Sequence, residues 1–305
     1  MVEIALCLAI IGIALVSIIG VLPIGMNTQR DNREETLVNQ DATVLLEAIR
    51  GGARGLDDLT NYVYAITNIW ALYDANTNII SIGTNGYSYL GSGLNGTPMV
   101  PPLPLTNGQI IVGLLSTPKY LNPSGGPIPN LILGGYSNHV VAYVHSISGP
   151  AIEKPPQTND TVRGDSFGYQ VLCVNAPMVV DVPSVWQPIS YTNGSLVYSN
   201  WMVWQATIPV NDPQFTSPGD IPGVYIPGSP TFWSQRPHDS VLAANLHELR
   251  LTFFWPQLPN GNVGSGRQTF RTLITGQIAT DLLAGQFLYF YQSQAFVNIG
   301  YTNVP

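Results

Sequence analysis

Between Ile4 and Met26 the chain carries no charged residue and a single hydroxyl, Ser17, with one acid, Glu3, directly in front. An uncharged run of this length can cross a bilayer core of roughly 30 Å as a helix of about 20 residues. It is too uniform for a surface helix with one wet face. A cleaved secretory signal would carry a basic start, a shorter apolar core and a small-residue cleavage site. Here the flank is acidic, and the run passes without a break into a polar stretch carrying Arg30, Arg33, Glu34 and Glu35. The segment is expected to be retained, as the first half of one long helix with two environments.

The second half follows from periodicity. Leu37, Val38, Ala42, Leu45, Leu46 and Ile49 recur at three- and four-residue steps, one face of an amphipathic helix, and Gly51, Gly52 and Gly55 are its stop signal. A helix of about 50 residues at 1.5 Å each reaches roughly 75 Å. Gly20, Pro23 and Gly25 interrupt it, and Pro23 removes a backbone donor at a cost of about 3 kcal/mol. Local unwinding near 19–25 is therefore expected, with a simple kink as the alternative. Ala5, Ala9, Gly12 and Ala14 supply small residues for close approach of neighbouring helices.

A second helix is expected over 56–73, with Leu59, Tyr62, Val63, Ile66, Ile69 and Trp70 on one side and Asp57 and Asp58 as charges in its first turn. Beyond Asn76 short β-like runs alternate with Gly, Pro and Asn clusters. Strands are expected at 78–82, 109–115, 139–146, 168–174, 195–198, 202–208, 246–255, 267–278 and 287–291. His247–Trp255 and Gln268–Gln277 flank a Gly-rich connector and read as a β-hairpin. The stretches 97–106, 120–130, 150–159 and 211–230 read as surface loops. The fold class is α+β: residues 1–54 form the apolar-then-amphipathic helix and 55–305 a β-rich head.

Composition limits the function. The chain has 305 residues and a net charge of -7, and its only lysines are Lys119 and Lys154. No cationic surface for nucleic acid is expected. No phosphate loop, nucleotide fingerprint or nucleophile elbow occurs, so neither enzymatic activity nor a cofactor is expected. His139, His145, His238 and His247 are scattered, and only the even spacing of the first two, which puts them on one face of a strand, hints at a metal pair; no metal site is expected. Cys7 and Cys173 read as reduced and buried. Arg163-Gly164-Asp165 matches an adhesion tripeptide, a pattern short enough to arise by chance. Asn95, Asn159 and Asn193 begin acceptor tripeptides for N-linked sugar. Trp201, Trp204, Phe232, Trp233, Phe253, Phe254 and Trp255 read as core or subunit contact, with a carbohydrate-binding face as the minority reading.

The start of the chain, Val2-Glu3-Ile4-Ala5-Leu6 through Gly12, resembles the N-terminus of mature type IV pilins and pseudopilins, which carry a Glu followed nine residues later by a Gly within an apolar helix; Glu3 and Gly12 keep that spacing. Leu22-Pro23-Ile24-Gly25 and the segment His247 to Pro256 are similar to large prepilin-type cassette proteins of Verrucomicrobia-like bacteria. The resemblance implies a subunit of a filament built by bundling of N-terminal helices, held in the inner membrane before assembly and at the cell surface afterwards. Its implied partners are identical subunits and the pilus assembly machinery, and glycans are compatible with the head. It further implies that Glu3 docks against the N-terminal amine of a neighbouring subunit, at Met1. Two departures stand out: the family places its Glu fifth, whereas here it is third, and its helix-loosening Pro would fall at Gly20, whereas here Pro23 serves. The other readings are a minor pseudopilin of a secretion or DNA-uptake machine, a membrane-anchored binding protein, and a tethered hydrolase for which no triad is recognisable.

Overall fold

The computed structural model describes residues 2–52, 57–74, 76–88, 104–128, 134–148, 167–178, 183–184, 186–187, 191, 194–199, 202–206, 233–235, 244–258, 261–283 and 285–296. One helix, α1 (Val2–Gly51), runs unbroken through Pro23. The expected unwinding at 19–25 is therefore overturned. Proline removes one hydrogen bond, the one to the Ile19 carbonyl, whereas opening a turn would expose several backbone groups in a segment without side chains to receive them. The lone hydroxyl is already used: Ser17 Oγ donates to the Ile13 carbonyl at 2.9 Å, and Thr28 Oγ1 does the same to Ile24 at 2.9 Å. The stop signal holds, since Gly52 takes φ +62° just past the last helical residue.

The expected second helix is replaced by a 3-10 turn, Asp57–Asn61, and a strand, β1 (Val63–Tyr73). Val63, Ile66, Thr67 and Ile69 with Tyr64, Trp70 and Tyr73 suit a pleated surface better than a helix, and the three- and four-residue spacing was coincidental. Asp57 and Asp58 do occupy the first turn of the 3-10 piece. The chain continues as β2 (Ile79–Ser88), then α2 (Gly108–Leu115), where a strand was expected. A short apolar run cannot be told from a buried helix by periodicity. The deciding group is Asn107, whose side chain caps the helix by accepting the Ile110 N–H at 2.8 Å.

Next come β3 (Tyr120–Leu121), inside a stretch expected to be loop, then β4 (Gly135–His145) and β5 (Gly168–Pro177). Three short strands, β6 (Leu196–Ser199), β7 (Met202–Ala206) and β8 (Trp233–Gln235), form a separate small sheet. The last four are β9 (Leu246–Gln257), β10 (Val263–Thr275), β11 (Gln277–Leu283) and β12 (Gln286–Gln292). The expected β9–β10 hairpin forms, with Ile274 opposite His247 and Arg267 opposite Phe254. The expected single strand 267–278 is broken at Gly276, which takes φ +125° and whose position leaves no room for a Cβ beside the Gln292 carbonyl.

The main sheet is seven-stranded and antiparallel, in the order β10-β9-β5-β4-β1-β2, with β3 beside β4. Its inner face carries Ile66, Val140, Ala142, Val144, Tyr169, Val171, Cys173, Leu249, Leu251 and Phe253, all buried. The second half of α1, helix α2 and the β11–β12 hairpin contribute to the same core. Fit between α2 and the hairpin is close, because a Cβ at Gly113 would come within 2.8 Å of Leu288 Cβ and the Phe290 ring. The result is a long helix followed by a β-rich part built of antiparallel sheets, an α+β chain.

Candidate functional site

Helix α1 divides at Glu34. Residues 2–33 are exposed without exception, and buried positions then appear at Glu34, Val38, Asp41, Ala42, Leu45, Ala48 and Ile49. That spacing is one helical stripe, the one periodicity selects, except that Leu37 and Leu46 are only half-buried and two acids lie within it. Along the free half, every Val, Leu, Ile and Met side chain from Val2 to Met26 is at least 53% exposed. Solvated, such a surface is expensive at about 25 cal/mol per Å². By length and composition this helix suits membrane association or a signal sequence, and the long apolar helix followed by a β-rich head is pilin-like in shape.

Glu3 is exposed in the first turn and has no partner among the described residues. Met1 lies outside the described residues. At about 100° per residue, Ala5, Ala9 and Gly12 share one stripe, whereas Ala14 falls roughly half a turn away, on the side of Glu3 and Cys7. All four small residues are exposed. Gly20 and Gly25 likewise have open space where a Cβ would stand. Cys7 was expected to be buried and is instead exposed, with nothing among the described residues of the head reaching it; Cys173 is buried, and its thiol is pushed up to about 12 by burial.

The docked half is fixed by a carboxylate that periodicity did not single out. Asp41 is fully buried and accepts hydrogen bonds from Ser146 Oγ (2.9 Å), Ile147 N–H (2.9 Å), Ser148 N–H (2.8 Å) and Tyr169 OH (2.9 Å), with the Ser148 hydroxyl as a further donor. The turn following β4 thus wraps one carboxylate of α1. Burial, and then the neighbouring Asp41 charge, hold the Tyr169 phenol well above its ordinary pKa, so it remains a donor. Two turns earlier, Arg30 Nε meets Glu34 Oε1 at 2.7 Å, and the hydrogen bond and charge of Glu34 raise the guanidinium pKa. Gln268 of β10 donates to Asn39 Oδ1 at 3.0 Å. An acid set between the apolar members of the stripe, next to Ala42 and one turn past Val38, is the one sequence signal that could have pointed to Asp41.

Elsewhere the head brings little reactive chemistry together. His139 and His145 share the outer face of β4, as their spacing requires, but six residues of strand put them about 20 Å apart, too far to share an ion. Among the described residues no group of three His, Cys, Asp or Glu side chains could hold a metal. His247 is buried edge-on to Tyr291 (5.7 Å), neither ring nitrogen making a well-formed hydrogen bond among the described residues. Burial lowers its pKa to about 4, the Ala244 backbone opposing weakly. An open cleft of about 580 Å³ beside the C-terminus of α1 has, among the described residues, Asp281 and Tyr291 as its ionisable side chains.

The aromatic cluster splits. Trp204 and Trp233 pack with Val197 and Ala206 in the small sheet, whereas Phe253 and Trp255 are buried in the main core and Phe254 lies under Arg267. Trp201, Phe232, His238, the Arg163-Gly164-Asp165 tripeptide, the three acceptor asparagines and the expected loops 150–159 and 211–230 lie outside the described residues, as does most of 97–106. No protein family, characterised protein or solved structure matches this chain.

Proposed function

We propose that the chain is a structural subunit of a type IV pilus-like or pseudopilus-like filament, with no catalytic role. The carrying observation is the free half of α1: some 32 residues standing clear of the head, apolar for most of their length and continuous with a half that is tightly docked. Packing that rod among identical rods would bury the apolar surface once it leaves the membrane. The stripe of Ala5, Ala9 and Gly12 supports close approach of one neighbour. Glu3, an acid in a setting too dry to keep it alone, would be met by the N-terminal amine of an adjacent subunit and so fix the register. The membrane holds the subunit before assembly, machinery in other proteins extracts it, and the heads then form the surface of the fibre.

Electron microscopy of sheared surface material, with mass spectrometry of the N-terminal peptide, tests this. Fibres containing this chain with a processed N-terminus are the expected result. A peptide still carrying a basic leader, in preparations without fibres, would remove the filament reading. The abundance of the chain in such fibres separates a main subunit from a minor pseudopilin.

The second reading is a single-span anchor for a surface binding domain, favoured by a run of 23 residues whose length, about 35 Å as a helix, suits one bilayer. Under that reading the chain stays in the membrane fraction and the head is released by protease without any fibre.

A further inference from the structure

We propose that the main sheet continues from one copy of this chain to the next, β2 of one head pairing antiparallel with β10 of its neighbour. This rests on the filament reading and supplies its head-to-head contact. Among the described residues, β2 pairs only with β1, and β10 only with β9. Both are long, 10 and 13 residues, and each leaves a row of backbone donors and acceptors unpaired on one side. At the far end of β2 the Ser88 carbonyl is taken by the Leu105 N–H (3.3 Å), which leaves the stretch from Ile79 to Gly86 to pair.

Direction decides that the two edges fit. Six antiparallel strands lie on the path from β10 to β2, an even number, so the two edge strands run opposite ways. A second head brought alongside with the same face outward therefore presents its β10 antiparallel to β2, and the alternation carries on across the joint. An odd count would have offered a parallel pair, with slanted and slightly weaker bonds. Because α1 covers the inner face, both edges point sideways, towards neighbours arranged around a core of helices.

Side chains agree with the backbone. Ile82, 65% exposed, lies on the outer face of the sheet at one edge, and Leu273, 55% exposed, lies on that same face at the other. In the register that sets Thr84 opposite Arg271, joined edges would close these two against each other. Natural edge strands are usually guarded by charge or proline. From Ile79 to Ser88 there is neither, and the two arginines of β10 are turned back over β9: Arg267 sits 5.3 Å from the Phe254 ring and Arg271 reaches Glu248 at 3.9 Å. Each edge is also stiffened, since the Trp70 ring covers Gly83 of β2 and the Trp255 ring covers Gly266 of β10, both from the adjacent strand. A contact between two different patches repeats from copy to copy, and it propagates as an open helical array where its rotation does not close into a ring.

The test uses the full chain in assembled, sheared fibres. With Cys7→Ala as background, Thr84→Cys on the outer face of β2 is combined in turn with a cysteine at Arg267, Thr269, Arg271 or Leu273 on the outer face of β10. Oxidation is expected to give a ladder of covalent multimers in at least one register, and none in controls with one introduced cysteine, the native Cys173 being buried. Ile82→Lys, in a head of unchanged thermal stability, is expected to shorten the fibres. Fibres of normal appearance that yield only monomers in every register, or fibres indifferent to Ile82→Lys, would overturn the edge pairing and leave the filament standing. An absence of fibres from the unaltered chain would take down both.

Discussion

The two halves of α1 solve the same problem in opposite ways. From Glu34 onward the apolar stripe is covered by the chain's own sheet, and the acid in that stripe, Asp41, is enclosed by donors from a turn and a tyrosine. Before Glu34 an equally apolar surface and an acid, Glu3, meet nothing among the described residues. A buried carboxylate is tolerable only when its oxygens are satisfied. Asp41 shows what that takes: a set of backbone and hydroxyl donors converging from the head. What Asp41 obtains within the fold, Glu3 would have to obtain from another molecule once the free half of the helix is packed away from water, as the proposed filament requires.

The most drastic way to break the comparison is to remove one half. A chain starting at Asn27 keeps every buried position of α1, and its head is expected to melt within roughly 2 °C of the full chain while fibres disappear altogether. A collapse of the head on calorimetry would mean that the halves are not independent. Within the docked half, Asp41→Ala strands several buried donors, each worth about 1 to 3 kcal/mol when left unmade. A loss of at least about 3 kcal/mol is expected, roughly 6 to 12 °C in melting temperature for a head of this size, with Asp41→Asn milder. An unchanged melting curve for the alanine variant would show that the carboxylate does not organise the joint.

A pH titration sharpens the same contrast. His247 has its folded pKa lowered to about 4 by burial, against about 6.5 when unfolded. Its contribution is fully present above the unfolded value and is lost as pH falls towards the folded one, because the unfolded chain binds the proton first. Stability of the head should therefore drop by roughly 3 kcal/mol between about pH 6.5 and 4. Denaturant titrations of His247→Phe should show that slope removed; an identical slope would place the proton elsewhere. The smallest effect belongs to Pro23→Ala, for which circular dichroism should report helix content and head stability unchanged, whereas a clear gain in helix would mean that the native rod is interrupted.

The helix was legible because its two signals, an uncharged run and then a three-to-four-residue stripe, are local. Strands β4, β5, β9 and β12 were legible for the same reason, each alternating or compact between turn residues. Misreadings fell where local signals are ambiguous: β1 happens to match helical spacing, and α2 is apolar on all sides, so only its Asn107 cap distinguishes it. Asp41 was hinted at only by its place in the stripe, and its partners were illegible, since its donors lie 105 to 128 residues away. The order of strands in the sheet, and with it the opposite sense of its edges, is likewise a property of long-range pairing that no window of sequence contains.

The unbroken passage of α1 through Pro23 joins the free half and the head through one continuous helix. Because each residue of an α-helix advances the azimuth by about 100° and the height by 1.5 Å, a single residue inserted between Met26 and Glu34 would swing the whole head through more than a quarter of a circle relative to Glu3. Subunit spacing around a fibre would then be set by a residue count in this short collar, and a length change there would rephase the outer surface without altering one contact inside the head.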